Sequence, residues 1–391
     1  MIYEKRISIL ERMYDGLKND SAKLVKAIVQ DLGRDATETY VAEIGSVMKE
    51  ITRSKRALRR WMRGDRYGVF PSARCVPEPY GNVLILSPWN YPVSTCLSPL
   101  VSALAAGNKV TIKPSEITST VEAALSEWVK EHVPEVDVVT GDANVAKELL
   151  ERSWDFVFFT GSTRVGKLVA QRCAKDLIPY ALELGGKSPV VVDKGVDLDL
   201  VASRVLWGKG MNAGQICIAP DYVLVHHSQR DALAKKMSGA PFKGKIVSDN
   251  HEKRLTDLGW TGGITVLDTN VHEEIFGPIL PVIAYKDKKE LEDLLLRYPD
   301  PLAMYVFSDR ARFVDDVTSW VRSGGVVVND VMLHIMSGAP FGGVGTSGQG
   351  RYHGKAGFDC FSYTRTYVRQ KLKPSFLDTY RDRYDLLKKI F

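Results

Sequence analysis

Several segments of this chain set a reactive side chain beside residues that fix the backbone around it. In Asn212-Ala213-Gly214-Gln215-Ile216-Cys217 a thiol follows Gly and Gln and precedes Ile218-Ala219-Pro220, which places it in a constrained loop leading into a strand. A cysteine taken alone is more often a small buried apolar residue. An exposed, positioned thiol, however, is a nucleophile. Glu183-Leu184-Gly185-Gly186-Lys187-Ser188-Pro189 puts a carboxylate beside two glycines, where it could serve as general base for a water. The plainer reading is a turn carrying a surface Glu. In Trp89-Asn90-Tyr91-Pro92 the Asn90 amide could offer an N–H to a developing oxyanion, and ordinary turn chemistry competes with that reading.

Two further segments suit a nucleotide. Phe159-Thr160-Gly161-Ser162-Thr163-Arg164-Val165-Gly166 reads as strand, glycine turn and helix N-terminus, a place for phosphate or pyrophosphate. It is neither G-x-G-x-x-G nor a P-loop with its lysine. Lys113 and Glu116 close a neighbouring strand and could bind ribose hydroxyls, although a surface ion pair is equally expected of them. The five cysteines, at 75, 96, 173, 217 and 360, show no C-x-x-C spacing. Neither a metal site nor a disulfide framework is expected, and free thiols point to a reducing compartment.

The elements that must position these groups follow from periodicity. Residues 1–62 carry apolar positions at helical spacing (Ile7, Leu10, Met13, Leu17, Leu24, Ile28), with a second helical stretch over 39–62. The basic run 55–63 that ends it reads as a solvated helix face. From Gly81 strands and helices alternate: strands 81–86, 109–113, 136–140 and 156–160, helices 93–106, 119–132, 144–152 and 164–175. Such alternation gives a parallel, doubly wound sheet, which binds ligands beyond the carboxyl ends of its strands. A second α/β stretch opens with strand 189–192 and runs to about Asn329. Residues 67–79, with three prolines, read as an extended arm without a partner of its own, and 371–391 as a charged tail, helical in its last part.

Composition bounds the rest. With 391 residues, 45% hydrophobic and 26% charged, the chain is an ordinary globular one of two or three domains. A scattered formal charge of +6 argues against nucleic-acid binding. The apolar stretch 83–106 is interrupted by Pro88, Asn90, Pro92 and Pro99, so no transmembrane helix is expected, and residues 1–6 open no signal-peptide apolar region. A cytoplasmic location is the expectation.

Six ordered motifs together resemble the aldehyde dehydrogenase superfamily over residues 31–363. They are Pro88-Trp89-Asn90-Tyr91-Pro92, Phe159-Thr160-Gly161-Ser162-Thr163, the Glu183 to Pro189 segment, Gly214-Gln215-Ile216-Cys217, Glu273-Glu274-Ile275-Phe276-Gly277-Pro278 and Pro340-Phe341-Gly342-Gly343. Asn90-Tyr91-Pro92, the Ile218-Ala219-Pro220-Asp221-Tyr222 continuation and Ser347-Gly348 with Tyr352-His353-Gly354 look most like the class 3 branch, associated with medium- and long-chain aliphatic and aromatic aldehydes. The resemblance implies two parallel α/β domains, a Rossmann-type cofactor domain (1–66 and 81–182) and a catalytic domain (183–335), with an oligomerisation arm and tail (67–80 and 360–391). It implies Cys217 as nucleophile, Asn90 with the backbone N–H of Cys217 as oxyanion hole, and Glu183 as base for the hydrolytic water. For the cofactor, NAD or NADP with NAD favoured, it implies Lys113 and Glu116 at the adenosine ribose and Gly161 and Ser162 at the pyrophosphate. Glu274 falls at the nicotinamide ribose with Phe276 beside it, and Trp89, Gly166 and Leu184 complete the set. The expected assembly is a homodimer, and the basic tail could touch a membrane surface.

Two departures stand out. The stretch between Asp221 and Glu273 is shorter than the family usually shows, and the tail lacks the usual strand-like ending. Two other functions remain open at this point: a CoA-acylating dehydrogenase, which would need no hydrolytic base, and a non-catalytic module that keeps the fold.

Overall fold

The N-terminal apolar spacing folds into a 30-residue helix, Tyr3–Leu32, that buries Ile9, Leu10, Met13, Leu17, Leu24 and Ile28. It stops at Gly33, whose left-handed φ of 63° is the usual glycine exit from a helix. These elements belong to a computed structural model that describes residues 1–68 and 72–369, together with 385 and 388. The second helical stretch is not the single helix expected over 39–62. It is built from Ala36–Thr39, a wide π-helical turn Tyr40–Gly45, and Ser46–Arg63. Such turns insert one residue into a helix and often accompany functional sites. Here the turn carries Glu43, fully buried and ion-paired with Arg34. The Glu43 carboxylate also accepts from the backbone N–H of Val93 (3.0 Å) and Ser94 (2.7 Å). The Arg34 guanidinium lies 4.3 Å over the Tyr91 ring. One buried pair thus anchors the segment that contains Asn90.

The alternating pattern from Gly81 forms a six-stranded sheet in the order Gly348–Gln349, Tyr180–Leu184, Phe156–Gly161, Asn82–Leu86, Lys109–Lys113, Asp137–Val138. All neighbours are parallel except the first pair. The strand expected over 136–140 shortens to two residues at this sheet's edge. Register aligns Leu86 with Lys113 and Phe159, and Gly161 with Leu184. The segments after these residues therefore emerge along one carboxyl edge, as a doubly wound sheet requires.

A second six-stranded sheet, parallel throughout, runs Thr265–Leu267, Ile279–Tyr285, Tyr222–His226, Pro189–Val192, Ala303–Phe307, Gly325–Val328. Only residues 185–188 separate Leu184, at the carboxyl end of the first sheet, from Pro189, at the amino end of a strand in the second. The short link makes the second sheet face the first with its amino ends. Cys217 precedes Tyr222–His226, Phe276 precedes Ile279–Tyr285, and Leu302 precedes Ala303–Phe307.

The arm is not unpartnered. Ala73–Pro79 pairs antiparallel with Asp65–Tyr67 and, over seven residues, with Ser362–Val368 of the same chain. Alternating prolines 77 and 79 concealed this, because Pro removes ladder donors and is confined to edges and special positions of a sheet. The helical end expected for 371–391 lies outside the described residues, apart from Asp385 and Lys388.

Candidate active site

Cys217 sits on a loop with an unusual backbone. Asn212 (φ 46°) and Ala213 (φ 54°) are left-handed without being glycine, and Gly214 (φ 74°) follows them. Each non-glycine residue held this way costs about 1 kcal/mol or more, so the surroundings must impose it. Ala213 N–H donates to the Lys243 carbonyl at 2.6 Å, and Gly214 lies so close to the Gly277 backbone that a Cβ would collide. The wholly buried Gln215 donates its amide to the carbonyls of Asn212 and Lys245, both at 2.9 Å. Asn90 donates its side-chain N–H to the Gln215 carbonyl at 3.0 Å, and Asn212 donates to the Asn90 carbonyl at 3.1 Å. Asn90 and the thiol loop are thereby one hydrogen-bonded unit. Downstream, the Tyr305 hydroxyl donates to the Ile218 carbonyl.

A cavity of about 580 Å³ opens over this loop, lined among others by Asn90, Glu183, Cys217, Glu274 and Phe276. Cys217 is half-buried: its surface opens on the cavity while protein rings it. Burial first, then the carboxylates of Glu274 and Glu183, push its thiol up to about 12; the N–H groups of Cys217 and Ile218 pull the other way. Glu183 is no surface residue. It is 4% exposed within Tyr180–Leu184, and neither carboxyl oxygen has a hydrogen-bond partner among the described residues. Burial drives its carboxyl well above the usual range, opposed by Arg351. A buried carboxyl with no structural partner calls for an explanation beyond packing, and this one faces the cavity.

The loop 273–277 is held from three sides. Lys187 and Asp221 form a buried ion pair; Asp221 accepts from Ile275 N–H at 2.8 Å and Lys187 donates to the Glu273 carbonyl at 3.0 Å. Arg254 donates to the carbonyls of Glu274 (2.6 Å) and Ile275 (2.9 Å), and His251 to that of Phe276 (2.8 Å). Phe276 takes a left-handed φ of 53° and meets Trp89 edge-on at 5.7 Å. Burial raises the Glu274 carboxyl to about 8, and it crowds Gly185 so closely that any side chain there would collide with it. Lys209, buried, is lowered to about 8, and together with Lys187 it pulls the Glu274 carboxyl down against its burial.

His251, Arg254, Lys209 and Arg351 escaped the sequence reading. The first two lie in the stretch between Asp221 and Glu273, which folds into helices Arg230–Met237 and Asp249–Asp257 and strand Thr265–Leu267. Their contribution is a hydrogen bond to a distant carbonyl, and such a contact leaves no local pattern. Lys187 and Asp221 stand inside quoted motifs, yet only the fold shows that they pair.

Thr160, Gly161 and Ser162 line the same cavity, and Ser162 caps Thr163–Lys175, accepting from Val165 N–H at 3.4 Å. A continuous space thus runs from the thiol to a capped helix N-terminus, which favours an anion. With Glu274 poised over a side-chain-free Gly185, these residues fit a dinucleotide. Trp89 and Leu184 also line the cavity, whereas Gly166 is buried beneath the Leu184 side chain and acts in packing. Lys113 and Glu116 lie beyond the cavity lining and pair with each other at 3.2 Å.

Two largely parallel sheets face each other across a cleft that holds a positioned thiol and a partnerless carboxyl, the architecture of an α/β oxidoreductase. The Aldehyde dehydrogenase family matches residues 1–259 and 263–385, and the chain belongs to that family, alongside its class 3 branch. A 4,4'-diaponeurosporen-aldehyde dehydrogenase of Staphylococcus aureus is 34% identical, covering 98% of this chain and 93% of its own. The human aldehyde dehydrogenase family 3 member B1 is 38% identical over 93% of this chain and 86% of its own. Among solved structures, a substrate-bound Staphylococcus aureus AldH superposes with a TM-score of 0.94 at 33% identity, covering 100% of this chain and 95% of that one. An NAD-dependent aldehyde dehydrogenase from Sinorhizobium meliloti gives 0.87 at 25% identity, covering 96% and 84%.

Proposed function

We propose that this protein oxidises aldehydes to carboxylic acids with NAD or NADP, NAD favoured, through a thiohemiacetal and then a thioester on Cys217. The observation that carries the reading is the shared cavity of a strained, hydrogen-bonded thiol loop and an unpartnered Glu183. Sγ of Cys217, once deprotonated, adds to the carbonyl carbon. The new alkoxide lies toward the Asn90 amide and the Cys217 backbone N–H, preorganised donors of a kind often worth about 10²–10³-fold in rate. Gly161, Ser162 and Glu274 would hold a nicotinamide cofactor, which when bound would supply the acceptor for the hydride leaving that carbon. Glu183 then takes a proton from water as its oxygen attacks the thioester carbonyl, and the C–S bond breaks to return the thiolate.

The same reading assigns residues 1–66 and 81–182 to the cofactor, 183–335 to catalysis, and 67–80 with 360–391 to assembly as a homodimer in the cytoplasm. Ile216, Leu302, Met332, Ile335 and Phe341 on the cavity wall favour medium- and long-chain or aromatic aldehydes. So does the 4,4'-diaponeurosporen-aldehyde in the name of the Staphylococcus aureus relative.

Transfer to CoA is the competing outcome, and Glu183 argues against it, because a thiol acceptor needs no hydrolytic base. The test follows cofactor absorbance with a panel of aldehydes, with and without CoA. Turnover independent of CoA that yields free acid is expected. Strict CoA dependence would replace the reading with acyl transfer, and no turnover on any aldehyde would refute it.

A further inference from the structure

Ser46–Arg63 carries seven cations against one carboxylate, Glu50. Arg53 pairs with Glu50 at 3.3 Å and Lys55 with Glu11 at 3.2 Å, while the Arg59 guanidinium lies 4.9 Å over the Tyr3 ring. Lys49, Arg56 and Arg60 have neither a carboxylate nor an aromatic partner among the described residues. With Arg53 they recur at the spacing of a single helix face. The four cations, together with Tyr14 and Met48, line an open groove of about 630 Å³ on the surface.

The groove runs into the mouth of the catalytic cavity, because Lys49 and Arg53 line both. The mouth is apolar. Val41 (54% exposed), Trp207 (51%), Ile335 (44%) and Met336 (57%) all line the cavity and all face outward. Large exposed apolar groups gathered at one opening mark an interaction surface. Unpaired cations beside such groups match a layer whose headgroups are anionic and whose interior is apolar. Among the described residues no helix is long and apolar enough to cross a membrane, so the contact is peripheral.

We infer that the cavity mouth and the Lys49, Arg53, Arg56, Arg60 face dock on an anionic lipid surface, so that apolar aldehydes held in that layer reach Cys217 without passing through water. The substrate class rests on the aldehyde oxidation proposed above; the docking surface rests on charge and exposure alone.

The test is co-sedimentation of the full chain with phosphatidylglycerol–phosphatidylcholine vesicles and with phosphatidylcholine vesicles alone, alongside turnover of a short, water-soluble aldehyde. The wild-type chain is expected to bind the anionic vesicles, to be released by salt, and to ignore the neutral ones. Arg56→Glu with Arg60→Glu lowers that partition about tenfold or more and leaves soluble-aldehyde turnover unchanged, since neither arginine lines the cavity. Ile335→Ser with Met336→Ser weakens binding with every cation in place. Equal binding to both vesicle types, or full binding by both variant pairs, overturns the proposal. Binding that survives both pairs and vanishes only on removal of residues 373–391 moves the contact to the tail and also overturns it. So does a double reversal that changes the light-scattering mass instead of vesicle binding, which would make the face a contact between copies. A wild-type chain that binds lipid in this charge-dependent way but oxidises no aldehyde refutes the reaction and leaves the docking surface standing.

Discussion

Cys217 is the residue on which the proposed chemistry turns, and its loop explains why the sequence around it stands out. Gly214 and Gln215 had to be where they are: one fits against the Gly277 backbone, the other fills a buried pocket of carbonyls. Cys217→Ala should abolish aldehyde turnover while folding and cofactor binding persist, as dye-monitored melting with and without NAD would show; near-wild-type turnover would end the covalent mechanism. Glu183→Gln cannot accept a proton from water, so it should slow thioester release more than acylation. Stopped-flow traces should then show a burst followed by slow turnover, whereas equal losses in both phases would remove Glu183 from deacylation. A third expectation concerns pH. Burial is the main reason the thiol sits near 12, and the Glu274 charge adds to it. The Glu274 carboxyl itself titrates at about 8. Its repulsion of the thiolate is therefore absent well below pH 8 and present above it. Glu274→Gln should speed iodoacetamide labelling of Cys217 above pH 8 and change it little below, and a uniform effect at all pH values would contradict this sign.

At the scale of elements, the strands and helices of the first sheet were readable because their apolar runs end in glycine or begin in caps, as at Gly107 and Ser162. The π-helical turn at Tyr40–Gly45 was not readable, since one inserted residue leaves the helical period almost intact. Its consequence is large, because it carries the buried Glu43 that holds both Arg34 and the N–H groups of Val93 and Ser94. Removing one partner of a buried ion pair strands the other, at a cost of about 3–5 kcal/mol. Glu43→Ala should lower unfolding stability by that order in denaturant titration. It should also depress kcat more than KM, because Asn90 loses its anchor while the cavity wall remains. Glu43→Gln, which keeps an acceptor for the two N–H groups, should recover part of the loss. An alanine variant of unchanged stability would show that the anchor is dispensable. The loop 273–277 tells the same story: its motif was visible, but the Arg254, His251 and Lys187 contacts that hold it come from distant parts of the chain.

For the whole molecule, the two large α/β sheets followed from alternation of strand and helix, but their mutual facing and the third, three-stranded sheet did not. That facing depends on the length of one link, residues 185–188, and on contacts of Gly185 and Lys187 with distant residues. The arm was misread for a related reason. Its partner strand, Ser362–Val368, lies almost three hundred residues away, beyond the reach of any local pattern. The three-stranded sheet it completes leaves Tyr363, Tyr367 and Val368 exposed, and an exposed edge of this kind is usually covered. A second copy of the chain is the proposed cover. Light scattering should give about twice the 43.5 kDa of one chain, and placing charge on this face, for example Tyr367→Asp with Val368→Asp, should shift the mass toward one chain. A monomeric wild type would refute the assembly.

The carboxyl end of one sheet and the amino end of the next meet over Cys217, with Glu183 on the first and the thiol on the second. Under the proposed mechanism neither half of the chain therefore owns the reaction. A fragment that stops before Gly185 keeps Glu183 and the Asn90 amide, and one that starts after it keeps the thiol and the Glu274 loop. Such chemistry cannot be inherited piecemeal by shuffling either module into another protein. It resides in the join, so an insertion or deletion within residues 185–188 should be far less tolerated by selection than one in the surface-lying part of the stretch between Asp221 and Glu273.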